Sequence, residues 1–181
     1  SIMQVEGIEQ NAIMIDSVSK RFSMCGARIG WVVSKNKEVM KSILKFAQAR
    51  LSPPTYSQIG AERAFDVPET YFEEVLKEYT QRRNVLIEEL QKVQGVRVSM
   101  PKGAFYCIAE LPVENAEDFC IWLLDNFSVN NETVMLAPAE GFYATEGLGR
   151  NQVRIAYVLE KEKIVKAIHI LADALKKYNN S

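Results

Sequence analysis

Ser17-Val18-Ser19-Lys20-Arg21-Phe22-Ser23-Met24-Cys25-Gly26-Ala27-Arg28-Ile29-Gly30 is the run on which the reading of this chain turns. It sets two hydroxyls, an amine and a guanidinium close together, directly after an apolar segment, Ala12 to Ile15, that reads as a buried strand ending at Asp16-Ser17. Ser17 and Ser19 can donate to phosphate oxygens. Arg28 can grip a phosphate through two parallel hydrogen bonds. Lys20, between them, is a candidate for imine chemistry. The bland alternative is an exposed, Ser- and Gly-rich loop carrying an ordinary lysine, and Lys20 in isolation favours it.

Working outward, Arg28 to Ser34 reads as a second strand. Asn36 to Leu51 is helical, with Val39, Ile43, Phe46 and Ala47 on one face. Ser52-Pro53-Pro54 breaks that helix, and Thr55 to Phe65 forms another. Glu69 to Val93 is a long helix striped by Phe72, Val75, Leu76, Tyr79, Leu86, Leu90 and Val93, with a capping box at Thr70 and Glu73 and a stop at Gly95. Strands follow at Val96 to Ser99 and Phe105 to Glu110, around a Pro101-Lys102-Gly103 turn in which Gly103 is expected to need positive φ or a close approach. Asn115 caps a helix over Ala116 to Phe127 that buries Phe119, Trp122, Leu123 and Phe127. Thr133 to Ala137 and Val153 to Val158 are strands, and the last helix, Glu160 to Tyr178, is striped by Ile164, Ile168, Leu171 and Leu175. Alternating strands and helices give an α/β or α+β fold, with one seam near Asp66 to Pro68.

Composition narrows the function classes. The 181 residues carry 22 basic and 23 acidic side chains, a net charge of -1, with no block of one sign, so nucleic acid and an anionic membrane surface are not expected partners. Cys25, Cys107 and Cys120 are odd in number and widely spaced, which argues against a disulfide framework or a zinc site and for a reducing, cytoplasmic compartment. The single histidine, His169, excludes any mechanism that needs two, and it reads as a solvated residue. No apolar run reaches the roughly 18 residues of a membrane span. The opening residues hold no initiator Met and no signal-like segment, and a fragment is the expectation.

Taken whole, the Ser17–Gly30 run resembles the lysine signature of class I/II aminotransferases at each defined position: a small residue, an apolar one, Ser, Lys, then Ser23-Met24, Gly26, and Arg28-Ile29-Gly30. The resemblance implies pyridoxal 5'-phosphate (PLP) as cofactor, with Lys20 as the Schiff-base lysine and general base, and with Ser17, Ser19 and Arg28 holding the phosphate. Further on, Gln152-Val153-Arg154-Ile155-Ala156 is similar to the family strand whose arginine takes the substrate α-carboxylate. That similarity assigns Arg154 as the substrate-binding residue, with Val153, Ile155 and Tyr157 turned towards a core. Pro101 to Tyr106 looks like a family turn. Ala137 to Tyr143 resembles a family loop only in part, because Glu140 intrudes and Tyr143 stands where glycine is usual.

The fold this implies is the C-terminal part of a PLP-dependent transferase. Residues 1–68 would be the tail of the large PLP-binding domain, and residues 69–181 the small C-terminal domain headed by a long interdomain helix. The family's ring-nitrogen Asp, its O3′ Tyr and its ring-stacking aromatic lie upstream of the lysine strand, so this chain alone is expected to be inactive. The implied substrates are an amino acid and a 2-oxo acid, aspartate with 2-oxoglutarate foremost. The implied assembly is a homodimer, with Tyr56 and Ser57 falling where the family makes subunit contacts. Two other readings stay open: a C–S lyase or aminocyclopropane-carboxylate synthase sharing the same lysine motif, and a stand-alone α/β dimerisation module that keeps the motif as scaffold.

Overall fold

The structure is a computed structural model in which residues 1–180 are described. The chain divides into two compact units, Ser1–Tyr71 and a second that begins at Phe72.

In the first unit, β1 (Met14–Ser17) pairs antiparallel with β2 (Gly30–Val33), with Ser17 opposite Gly30. Between them lie the four-residue helix α1 (Val18–Arg21) and a 3-10 turn at Cys25–Ala27, where the sequence reading expects a loop. The helical turn forms because Ser17 caps it: its hydroxyl accepts the Ser19 N–H at 3.3 Å. The strand expected to be buried is not. Ile15 is 76% exposed, because a two-stranded sheet leaves much of β1 uncovered. Asn36 caps α2 (Lys37–Arg50), accepting the Glu38 and Val39 N–H groups. The expected apolar face of α2 is only partly used: Val39 and Ile43 are half-buried, whereas Phe46 is 78% exposed. After Ser52-Pro53-Pro54 comes α3 (Thr55–Ala64). The Phe65 ring lies 5.2 Å from that of Phe22 and 5.7 Å from that of Trp31.

The second unit packs helices on one face of a four-stranded antiparallel sheet, ordered β3 (Arg97–Val98), β4 (Tyr106–Glu110), β6 (Gln152–Ala156), β5 (Ala137–Pro138). Cys107 faces Ile155 and Ala109 faces Val153 across the β4–β6 ladder, and all four are buried, while their strand neighbours point the other way. Onto that buried face come Leu86 and Leu90 of α4 (Glu69–Lys92), Phe119 and Leu123 of α5 (Ala116–Asn126), and Ile164, Ile168, Leu171 and Leu175 of α6 (Lys161–Asn179). Trp122 and Phe127 are half-buried against the same cluster. Helix α4 already includes Thr70, which therefore sits in its first turn rather than at a cap. Gly95 ends that segment at φ +80, and a Cβ there would lie 2.8 Å from the Pro112 side chain.

Two expectations about this unit are corrected. The strand over Thr133 to Ala137 shrinks to Ala137–Pro138: a tight turn at Asn130-Asn131 bridges Val129 to Glu132, and the chain after it runs outside any ladder with Met135 exposed. In the Pro101–Ala104 turn it is Ala104, at φ +60, that takes the left-handed conformation, not Gly103. The Tyr157 hydroxyl donates to the Ala104 carbonyl at 2.9 Å, and the Tyr157 N–H donates to Phe105, so the turn is fixed from β6. No helix among the described residues is long and apolar enough to cross a membrane.

Candidate functional site

A cavity of about 690 Å³ in the first unit is walled by the end of β1 (Asp16, Ser17), by Ser19 of α1, by Arg28 and Gly30 at the entry to β2, and by Arg50 with the Ser52–Pro54 exit of α2. Ser17 and Ser19 are half-buried. The Ser17 oxygen accepts from Ser19, which leaves its own O–H to donate. Asp16 Oδ1 accepts the Ser17 N–H at 2.7 Å and so holds the strand end in place. Arg28 is in the left-handed region, φ 57, and one guanidinium N–H donates to the Cys25 carbonyl at 3.0 Å. Among the described residues no carboxylate pairs with Arg28. Gly30 is required by close approach: a Cβ would fall 2.9 Å from the Asp16 carbonyl oxygen. Hydroxyl donors and a guanidinium that is bonded to no carboxylate, around an opening that also holds Asp16, have the chemistry of an anion site, and they fit a phosphate monoester.

Of the expected residues, Ser17, Ser19 and Arg28 come together on this wall. Lys20 follows Ser19 on α1, is exposed, and is not part of the wall.

Arg154 belongs to the second unit. It lies on the sheet face opposite the core, in register with Ile108 of β4 and Ala137 of β5, while Val153, Ile155 and Tyr157 are buried as expected. Its guanidinium carbon stands 5.3 Å from the Tyr106 ring centre and 4.7 Å from that of Phe142. Among the described residues no carboxylate pairs with it. A half-buried guanidinium flanked by aromatic faces is suited to a carboxylate ligand. The sequence reading passed over Tyr106 and Phe142. The period-2 pattern does place Tyr106 on the face of Arg154, but nothing in sequence brings Phe142, from the 3-10 turn Glu140–Phe142, to the same spot.

The remaining polar candidates lie elsewhere. His169 is exposed and faces Glu89 at 3.5 Å. Its neighbour Glu89 has its carboxyl lowered, chiefly by a hydrogen bond from Lys92. Burial pushes the Cys107 and Cys120 thiols up to about 11 each, whereas Cys25 is exposed. Tyr56 is 90% exposed.

Comparison with known proteins adds four findings. The family model described as "Aminotransferase class I and II" matches residues 3–171. An aspartate aminotransferase of Pyrococcus horikoshii is 31% identical over 170 residues, which is 92% of this chain and 41% of that protein. A (5-formylfuran-3-yl)methyl phosphate transaminase of Methanocaldococcus jannaschii is 32% identical over 93% of this chain and 43% of its own length. Among solved structures, an alpha-aminoadipate aminotransferase of Thermus thermophilus, complexed with N-(5'-phosphopyridoxyl)-L-leucine, superposes with a TM-score of 0.75 at 27% identity, covering 91% of this chain and 42% of that one. The chain thus spans about two fifths of the length of the curated relatives it matches.

Proposed function

The chain belongs to the aminotransferase class I and II family, and we propose on that premise that it carries the phosphate anchor, the cofactor lysine and the carboxylate-binding arginine of a PLP-dependent transaminase. The observation that carries this reading is the convergence of Ser17, Ser19 and Arg28 on one cavity wall beside the lysine-bearing helix. Residues 1–68 are read as the tail of the large PLP-binding domain and residues 69–181 as the small C-terminal domain. The reaction, amino transfer between an amino acid and a 2-oxo acid, is assigned to a whole protein that includes this chain. Aspartate with 2-oxoglutarate is the proposed pair, supported by the names of several relatives. A homodimer using the exposed Tyr56, in a reducing cytoplasmic setting that suits three free thiols, completes the reading.

PLP, when bound, supplies the electron sink for charge developing at the substrate Cα. The chain's own residues do the rest. The Ser17 and Ser19 hydroxyls and the Arg28 guanidinium hold the phosphate, each by charge-assisted hydrogen bonds. Lys20 Nζ would hold the cofactor aldehyde, and as a free amine it would carry the proton taken from the substrate Cα. Arg154 grips the α-carboxylate, and the rings of Tyr106 and Phe142 steady its guanidinium.

Borohydride trapping of the chain with PLP, followed by peptide mapping, tests this. Reduction should fix the pyridoxyl group on Lys20 ahead of the other lysines, and Arg28→Gln or replacement of PLP by pyridoxal should abolish the preference. Labelling spread evenly over the lysines, unchanged by either, would refute it.

A further inference from the structure

The lining of the first unit's cavity includes a second arginine, Arg50, which lies outside the Ser17–Gly30 run and has no role in the transaminase assignment. Arg50 is the last residue of α2. The residue after it, Leu51, has φ 71 and ψ 167, a backbone conformation that leucine avoids. Its N–H returns to the Gln48 carbonyl at 3.3 Å, and Gln58 ties the following Pro53 carbonyl at 2.8 Å. The proline pair then stiffens the exit. Two local hydrogen bonds thus brace the turn in which α2 ends. Among the described residues no carboxylate pairs with Arg50.

The charge on the wall gives the arrangement a purpose. A phosphate monoester carries close to two negative charges at neutral pH. Arg28 alone is offset by Asp16 on the same wall, and Arg50 is what leaves the opening with a net positive charge. We propose that Arg50 is a second phosphate-binding residue, so that the cavity takes a phosphate dianion between two guanidiniums. This rests on the cavity being the anion site. The competing role is local: a cation at the end of α2 also complements the helix dipole.

Titration of the 181-residue chain with inorganic phosphate, read by phosphorus NMR, separates the two. The expected result is that Arg50→Gln weakens binding about tenfold or more, the worth of a hydrogen bond to a charged group, with Arg50→Lys recovering part of it. Unchanged affinity in Arg50→Gln, alongside a loss in Arg28→Gln, confines Arg50 to the helix end and overturns the inference while sparing the cavity. Unchanged affinity in both variants removes the phosphate site itself, and the inference with it. Phenylglyoxal labelling of the unaltered chain gives a readout independent of any variant's folding. Phosphate should slow modification of Arg28 and Arg50 but not of the surface residue Arg63, and an Arg50 rate unaffected by phosphate overturns the proposal.

Discussion

Arg154 stands between two aromatic rings with no acidic partner among the described residues, so a carboxylate entering there meets a guanidinium that gives up no existing ion pair. Titration with 2-oxoglutarate should move the amide resonances of Ile108, Ala137 and Phe142 saturably, and Arg154→Gln should remove the response. The cysteines make a second case. Cys25 is exposed, while burial raises the thiols of Cys107 and Cys120 to about 11, which keeps them protonated. Alkylation of the folded chain near pH 8, read by mass spectrometry, should therefore modify Cys25 and spare the other two until the chain is unfolded. Single residues also mark the limit of what could be read from sequence. The spacing of Ser17, Ser19 and Arg28 was legible because one continuous motif carries all three. Arg50 was not, since a lone arginine before Ser52-Pro53-Pro54 gives no sign that its helix returns to the same opening.

Helices were the most legible elements, for a physical reason. The stripe of α6 and the Asn115 start of α5 are repeated or chemically specific signals, and both are found where expected, with the Asn115 side chain accepting the Glu117 and Asp118 N–H groups. Asn115→Ala should cost about 1 kcal/mol of stability, the usual worth of such a cap, in urea denaturation. Short elements were not legible. Helix α1 is too brief to show a period, and only the capping of Ser19 by Ser17 creates it. Strand β5 ends at Pro138, which lacks an N–H for the ladder, and the apolar residues before it have no strand partner. Apolar pattern reports what a segment could bury. Whether Ile15 or Phe46 finds a neighbour is settled only by the packing around it.

Across the whole chain the two units differ in how much they bury. The second has a continuous core running from Leu86 to Leu175, whereas the first buries little beyond Ala12, Val18, Phe22 and Ala61. Amides of residues 1–71 should accordingly exchange faster than those of β4, β6 and α6, and equal protection would contradict this. The pH dependence has a definite sign. Neutral Cys107 and Cys120 are preferred in the fold, so their contribution is complete below the ordinary thiol range and is lost as pH rises through about 11; stability should fall from about pH 9 upwards. On the acid side, Arg97 and then Asn151 hold the Glu110 carboxyl below its usual range, and that contribution disappears as pH falls through the lowered value. Tryptophan emission reports on the phosphate-binding cavity itself, because Trp31 lines the cavity and Trp122 packs in the other unit. In a Trp122→Phe chain, PLP should quench Trp31 saturably, and Arg28→Gln should weaken the effect at least tenfold; quenching that survives Arg28→Gln undiminished, or that occurs equally with pyridoxal, would contradict the account.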